Sequence, residues 1–234
     1  MIKLISFKIC PFVQRVSALL EAKDIPYEIE FIQLNNKPQW FLDISPNGQV
    51  PILITESGVS LFESDAIVEY LEEAYNPLED NVLPEQKALD RAWSNLASKH
   101  YLSQCSAMRS PNKTTLEERS ENLEKAFEKV ERLLSEGPFF KGGNLSNVDI
   151  AWLPLLHRTA LIEKHTCYDF LAKYPKVKAW QLAVLETNLA AQSVSDDFEQ
   201  AFTDFYLSDK TYLGTGDNNE VNLSTQCGGS NCCG

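Results

Sequence analysis

One cysteine in this chain is placed to react. In the stretch KICPFVQR, Cys10 closes a run that alternates like a strand and stands directly before Pro11. Proline is favoured at the first position of a helix, where a backbone N–H would have no partner anyway. The pattern therefore predicts a helix opening at Pro11 with Cys10 as its N-cap. A sulfur there faces unpaired backbone amides and the positive end of the helix dipole, and both favour thiolate over thiol. Such sites bring a thiol from about 8.5 into a range of about 3.5 to 7.5. The first helical residues, Pro11 and Phe12, would support the thiolate, and Lys8 and Arg15 could add positive potential or stand as solvated charges. Free cysteines are often plain core residues, but the proline and the preceding strand favour a nucleophile here. A redox dithiol would carry its second cysteine at position 13, which is Val13, so the site is monothiol. Such a thiolate can attack a disulfide or another oxidised group, and an external thiol must then release it.

The other chemistry-bearing residues group less sharply. Glutathione is the natural external thiol, and one further stretch suits a small anionic ligand. In ESDAI, Ser64 reads as an N-cap, and a helix N-terminus is a ready carboxylate site. In QVPIL, Pro51 opens a strand, as an edge or a turn allows. In NLSNVDIAW, Ser146 and Asp149 form a capping-box pattern, with Leu145 and Ile150 where a hydrophobic staple would sit, which reads as a folding device. His100, His157 and His165 have no ligand spacing and are expected to be structural or exposed, so no metal is expected. Trp93, His100, Tyr101, Cys105 and Met108 could line an acceptor pocket facing Cys10, and their helical spacing suits a bundle core equally well. Ser6 offers an alternative hydroxyl but lies inside the strand pattern, and it ranks far below Cys10.

The elements that must position these residues follow from hydrophobic periodicity. Ile2 to Phe7 alternates as a strand, Pro11 to Lys23 carries a helical stripe, and Tyr27 to Leu34 alternates again, a βαβ unit. A short helical segment near Pro38 to Ile44 precedes QVPILIT and GVSLF, whose separation by Glu56-Ser57-Gly58 is of hairpin length. A helix from Ser64 to Tyr75 closes a thioredoxin-like layer over residues 1–76. Residues 77–87 are polar and proline-bearing and read as a linker. Over 88–207 the period is helical throughout, with Leu116, Leu123, Phe127, Val130 and Leu134 on one stripe and Val177, Trp180 and Val184 on another, so an all-α bundle is expected. The segment Leu145 to Ile162 is apolar nearly all round and belongs in its middle. Residues 208–234 turn polar and are expected to be disordered.

Composition narrows the partners. The 234 residues hold 33 Asp plus Glu against 21 Lys plus Arg, a net charge of -12, which argues against nucleic acid. No apolar run reaches the roughly 18 residues of a membrane span, and no secretory leader is evident, so the cytoplasm is the expected location. Cys10, Cys105 and Cys167 are scattered, and Cys227, Cys232 and Cys233 crowd the tail, which is not a disulfide framework. The tail also lacks the C-x-x-C pairing of a zinc site and the terminal cysteine of a prenylation signal, and reads as exposed and prone to oxidation.

Taken together, residues 1–207 resemble a cytosolic glutathione transferase. CPFVQR resembles the cysteine motif of its omega-class, dehydroascorbate-reductase and chloride-channel-like branches, and NKPQW, NGQVPIL, ESDAI and NLSNVDIAW are similar to further stretches of that family. The resemblance implies a thioredoxin fold joined to a helical bundle, a homodimer, and glutathione as cosubstrate. It implies a cis Val50–Pro51 bond presenting the Val50 backbone to the cysteinyl part of glutathione. It also implies Glu63 and Ser64 at the γ-glutamyl end and Lys37 toward the glycine carboxylate. The implied activity is glutathione-dependent thiol transfer or reduction, including deglutathionylation and dehydroascorbate reduction, through a Cys10 mixed disulfide with glutathione. Conjugation of glutathione to electrophiles is an alternative within the family. A non-catalytic regulator of the same fold, like stringent-starvation-type proteins, is an alternative of another class that the cysteine motif argues against.

Overall fold

A computed structural model of the chain describes residues 1–134 and 136–216. Four strands form one sheet: β1 (Ile2–Ser6), β2 (Tyr27–Phe31), β3 (Ile52–Ile54) and β4 (Ser60–Phe62), in the order β2-β1-β3-β4. β1 and β2 run parallel, Ile2 opposite Tyr27 through Ser6 opposite Phe31, whereas β3 is antiparallel to both β1 and β4. The parallel pair needs a crossover, and α1 (Pro11–Ala22) supplies it. Alternation along β1 then splits the side chains between two layers. Ile2 and Leu4 join the large core under α1 and α3 (Ser64–Ala74), while Ile5 packs with Ile32, Phe41 and Ile52 on the side of α2 (Gln39–Ile44).

The second layer system is helical. It comprises α4 (Pro84–Met108), α5 (Lys113–Leu133), α6 (Asn147–Thr166), α7 (Pro175–Glu186), α8 (Leu189–Gln192), α9 (Phe198–Tyr206) and α10 (Tyr212–Thr215). The stripe of α5 residues Leu116, Leu123, Phe127 and Val130 is fully buried, as is the run from Val148 to Leu156 in α6. Burying one such aliphatic side chain stabilises the fold by about 1.5–3 kcal/mol, so α6 is the spine against which α1, α4 and α7 pack. Its N-terminus carries the capping box. Asp149 accepts from the Ser146 N–H at 2.8 Å and hydroxyl at 2.6 Å, and also from the Phe140 N–H at 2.8 Å and the Trp180 indole at 2.6 Å. The box thus ties a loop and α7 to α6 as well as closing the helix.

Two expectations about the connections change. α4 begins at Pro84, inside the stretch read as linker, because proline is at home in a first helical turn even where the flanking sequence is polar. Residues 208–216 are folded as well. The Thr211 hydroxyl accepts from the Gly214 N–H at 3.1 Å, the Tyr212 N–H donates to the Ser110 carbonyl at 2.8 Å, and Leu213 is buried. One cap and one apolar anchor are enough to dock a short helix that composition alone would not suggest. The rest of the tail, with Cys227, Cys232 and Cys233, lies outside the described residues.

Candidate active site

The β1–α1 turn places Cys10. Its backbone is extended (φ -77°, ψ 120°), its N–H donates to the Phe7 carbonyl at 2.9 Å, and its own carbonyl accepts the first helical bond from the Gln14 N–H at 3.1 Å. Cys10 is the N-cap and Pro11 the first helical residue. Its sulfur faces the Phe12 and Val13 amides, groups a helix N-terminus leaves unpaired, without a cap hydrogen bond to either. Those amides favour thiolate, yet burial outweighs them and pushes the Cys10 thiol up, to about 11. The structure therefore runs against the expectation of a lowered thiol. The local motif supplies the stabilising amides, but desolvation comes from the helical layer packed behind them and is invisible in an octapeptide.

The cation facing Cys10 is also not the expected one. Lys8 is paired with Asp197, and Arg15 is buried against Asp65. Positive charge reaches Cys10 from Arg158 of α6, a fully buried guanidinium that also draws on the Ile9 carbonyl and Gln14. In the sequence Arg158 is one of several charged residues of α6, set in its apolar middle, so only its position in space reveals it.

Cys10 opens onto a cavity of about 280 Å³ that also takes in Phe12, Lys37, Val50, Pro51, Glu63 and Ser64. Pro11 lies outside that lining and serves the turn itself. The bond Val50–Pro51 is cis. The turn that leads into it is laced by Ser45, which exchanges side-chain bonds of 3.0 Å with the Gln49 backbone, and by Gly48, whose φ of +58° suits glycine. On the other wall, Glu63 holds φ +66°, a left-handed backbone that costs a non-glycine residue about 1–3 kcal/mol. Here the helix boundary shifts by one residue. Glu63 is the N-cap of α3 and Ser64, buried, is its first helical residue. The Glu63 carboxylate accepts from the Asn47 amide at 2.8 Å, which ties the two walls together. Lys37 forms no ion pair among the described residues, so its ammonium at the cavity edge is free for a carboxylate.

Asn47, Gln49 and Leu102, like Leu34 and Phe62, also line it and were not singled out from sequence; Asn47 and Gln49 sit within NGQVPIL, whereas nothing marks Leu102. Of the acceptor-pocket candidates on α4, Tyr101 and Met108 are fully buried in the core and Cys105 is half-buried beside it. Tyr101 donates to the Ala151 carbonyl and packs edge-on to Phe12, at 5.0 Å between centroids. Trp93 packs against Phe140 at 5.6 Å, so α4 contributes mainly a wall behind the site. Ser6 is buried within β1, away from that lining. Burial pushes His157 down to about 3, so it stays neutral as a partner of Gln14 and takes no proton from Cys10 at neutral pH. His165 meets Glu199, and His100 is half-buried. Among the described residues no group of three or more His, Cys, Asp or Glu is placed to hold a metal ion, and no helix is long and apolar enough to cross a membrane.

The family described as the glutathione S-transferase N-terminal domain matches residues 9–74, and its C-terminal counterpart matches residues 113–180. The chain is 33% identical over 213 residues to glutathione S-transferase omega-1 of Sus scrofa, covering 88% of this chain and 86% of that one. It is 34% identical over 157 residues to the probable glutathione S-transferase DHAR1, cytosolic, of Oryza sativa subsp. japonica, covering 67% and 70%. Among solved structures, glutathione transferase Omega 3C from Trametes versicolor superimposes with a TM-score of 0.72 at 27% identity, over 83% of this chain and 89% of that one.

Proposed function

The chain belongs to the glutathione S-transferase family and is a glutathione-dependent enzyme of that kind, and we propose that it works as a thiol transferase and reductase with Cys10 as nucleophile. The observation that carries this reading is the convergence on one cavity of an N-capping sulfur with a free ammonium, a carboxylate and a buried helix N-terminus. Glutathione carries the complementary groups. Its glycine carboxylate meets Lys37, its cysteinyl backbone meets Val50 beside Pro51, and its γ-glutamyl end meets Glu63 and Ser64, the ammonium on the Glu63 carboxylate and the carboxylate at the start of α3.

In deglutathionylation the Cys10 thiolate attacks the glutathionyl sulfur of a mixed disulfide. The substrate's S–S bond breaks, its thiolate leaves and takes up a proton, and Cys10 is left disulfide-bonded to glutathione. A second glutathione, as thiolate, attacks that bond, releases oxidised glutathione and returns Cys10 as thiolate. Val13 cannot resolve the intermediate, so the external thiol is obligatory. Dehydroascorbate is a second acceptor of this class, two glutathiones supplying its two electrons. A cytosolic homodimer completes the reading, as the matched relatives include a protein named cytosolic.

An activity panel tests it. Mixed-disulfide and dehydroascorbate reduction should be present in the parent and lost in Cys10→Ser, with chloronitrobenzene conjugation weak in both. Retention of reductase turnover in Cys10→Ser would remove Cys10 from the mechanism. Light scattering at micromolar concentration should return twice the 26.4 kDa chain mass.

A further inference from the structure

We propose that Arg158 is a positioning residue for Cys10, a buried guanidinium that grips the nucleophile's turn from the helical domain on both sides of the sulfur. The proposal rests on the reading of Cys10 as nucleophile. Arg158 projects from the middle of α6 and is 0% exposed. Its Nη2 donates at 3.1 Å to the carbonyl of Ile9, the residue immediately before Cys10. Its Nη1 donates to the Gln14 side chain, one helical turn after Cys10, and at 3.0 Å to the Pro154 carbonyl of its own helix. Gln14 is fixed in turn by His157, at 2.8 Å, and by the α8 region. The four residues between these two grips, Cys10 to Val13, include the sulfur and the two amides it faces, so the guanidinium sets where the thiol lies relative to the cavity.

The second observation is electrostatic. Among the described residues no carboxylate pairs with Arg158, and its Nε is buried without a partner. The ring of Phe198 lies 5.5 Å from the guanidinium carbon. A buried cation without a counter-ion is unfavourable unless something nearby can carry negative charge. The groups facing it are Cys10, Cys105 and Tyr101 of α4, and Tyr206 of α9, all neutral when protonated, together with His157 of α6, which burial keeps neutral. Those facing Cys10 are Arg158, Cys105, Tyr101 and Tyr206. The Cys10 thiolate, facing two helix amides and formed in every catalytic cycle, is the counter-ion this arrangement suits best. Arg158 therefore favours the charged nucleophile at the moment burial opposes it.

The test compares Arg158→Met and Arg158→Lys in the full chain, reading thermal unfolding, glutathione affinity by calorimetry, turnover, and the pH profile of Cys10 alkylation by iodoacetamide with peptide mapping. In Arg158→Met the rate of Cys10 alkylation at each pH from about 7 to 9 should fall about tenfold, because losing the cation disfavours the thiolate. Its kcat should fall about tenfold, while glutathione affinity stays within about twofold. Arg158→Lys keeps the charge, so its alkylation rate should stay near the parent's, but one ammonium cannot reach both Ile9 and Gln14, so kcat should still fall. A folded Arg158→Met with the parental alkylation rate and kcat overturns the proposal. Should that variant not fold, Arg158→Lys decides alone, and parental turnover in it overturns the proposal. The alkylation rate does not depend on turnover, so a Cys10→Ser variant that keeps its activity would sink the nucleophile reading without being mistaken for a failure of Arg158.

Discussion

The N-termini of α6 and α1 each set an ionisable side chain against backbone amides, and they are finished differently. At α6 the Asp149 carboxylate is fully buried and takes four donors, from the Ser146 backbone and hydroxyl, the Phe140 amide and the Trp180 indole. At α1 the Cys10 sulfur faces two amides without a hydrogen bond to either, stays half-buried, and opens onto the cavity. Burial raises the proton affinity of both groups, so titration alone does not tell them apart. What separates them is the room left for another bond. The saturated cap can only hold structure together, and the unsaturated one can still react.

The largest effect expected from that contrast is on turnover at α1. Cys10→Ser should lower reductase turnover by about 10⁴-fold, on the order of 5.5 kcal/mol in the barrier, while the melting temperature moves by no more than about 2 °C. Equal losses of stability and activity would erase the distinction between the two caps. At α6 the signature should invert. Asp149→Ala leaves four donors without their acceptor and should cost roughly 3 kcal/mol, about 10 °C in melting temperature, with turnover per folded molecule unchanged. Between these lies the cavity wall. Glu63→Ala should weaken glutathione binding roughly tenfold by calorimetry, about 1.4 kcal/mol, and unchanged affinity would show that the Glu63 carboxylate serves only Asn47. The smallest change is at the outermost cap. Thr211→Ala should cost about 1 kcal/mol in chemical denaturation and leave the site untouched, since it loosens only α10.

Legibility followed the range of the interaction. The Cys10-Pro11 turn and the Ser146, Asp149 pair are visible in a few consecutive residues, because capping is a local contest for backbone amides. The strands and the α5 stripe are visible for the same reason, through period. What stayed hidden depends on residues brought together from afar. Arg158 reads as one more charge of α6 until that helix is laid behind α1, and Asn47 reads as a turn residue until its amide meets Glu63. The direction of the Cys10 shift belongs to this class too. The favourable amides are local, and the opposing burial is assembled by α4 and α6. The order of residues 208–216 rests on one buried leucine and one capping threonine, a signal too small to outweigh polar composition.

The most direct test of the central claim is the reaction of the native protein with oxidised glutathione, followed by intact mass and peptide mapping across a pH series. Thiolate is the attacking form, and with the Cys10 thiol near 11 its fraction grows with pH throughout the accessible range below that value. One glutathione should therefore attach at Cys10, persist because Val13 cannot displace it, and form faster at each step from pH 6 to about pH 9, with no plateau near neutrality. A rate already level at pH 7 would show that the helix amides and Arg158 outweigh burial. Absence of the adduct at Cys10 at every pH, with the fold intact, would contradict its assignment as the nucleophile.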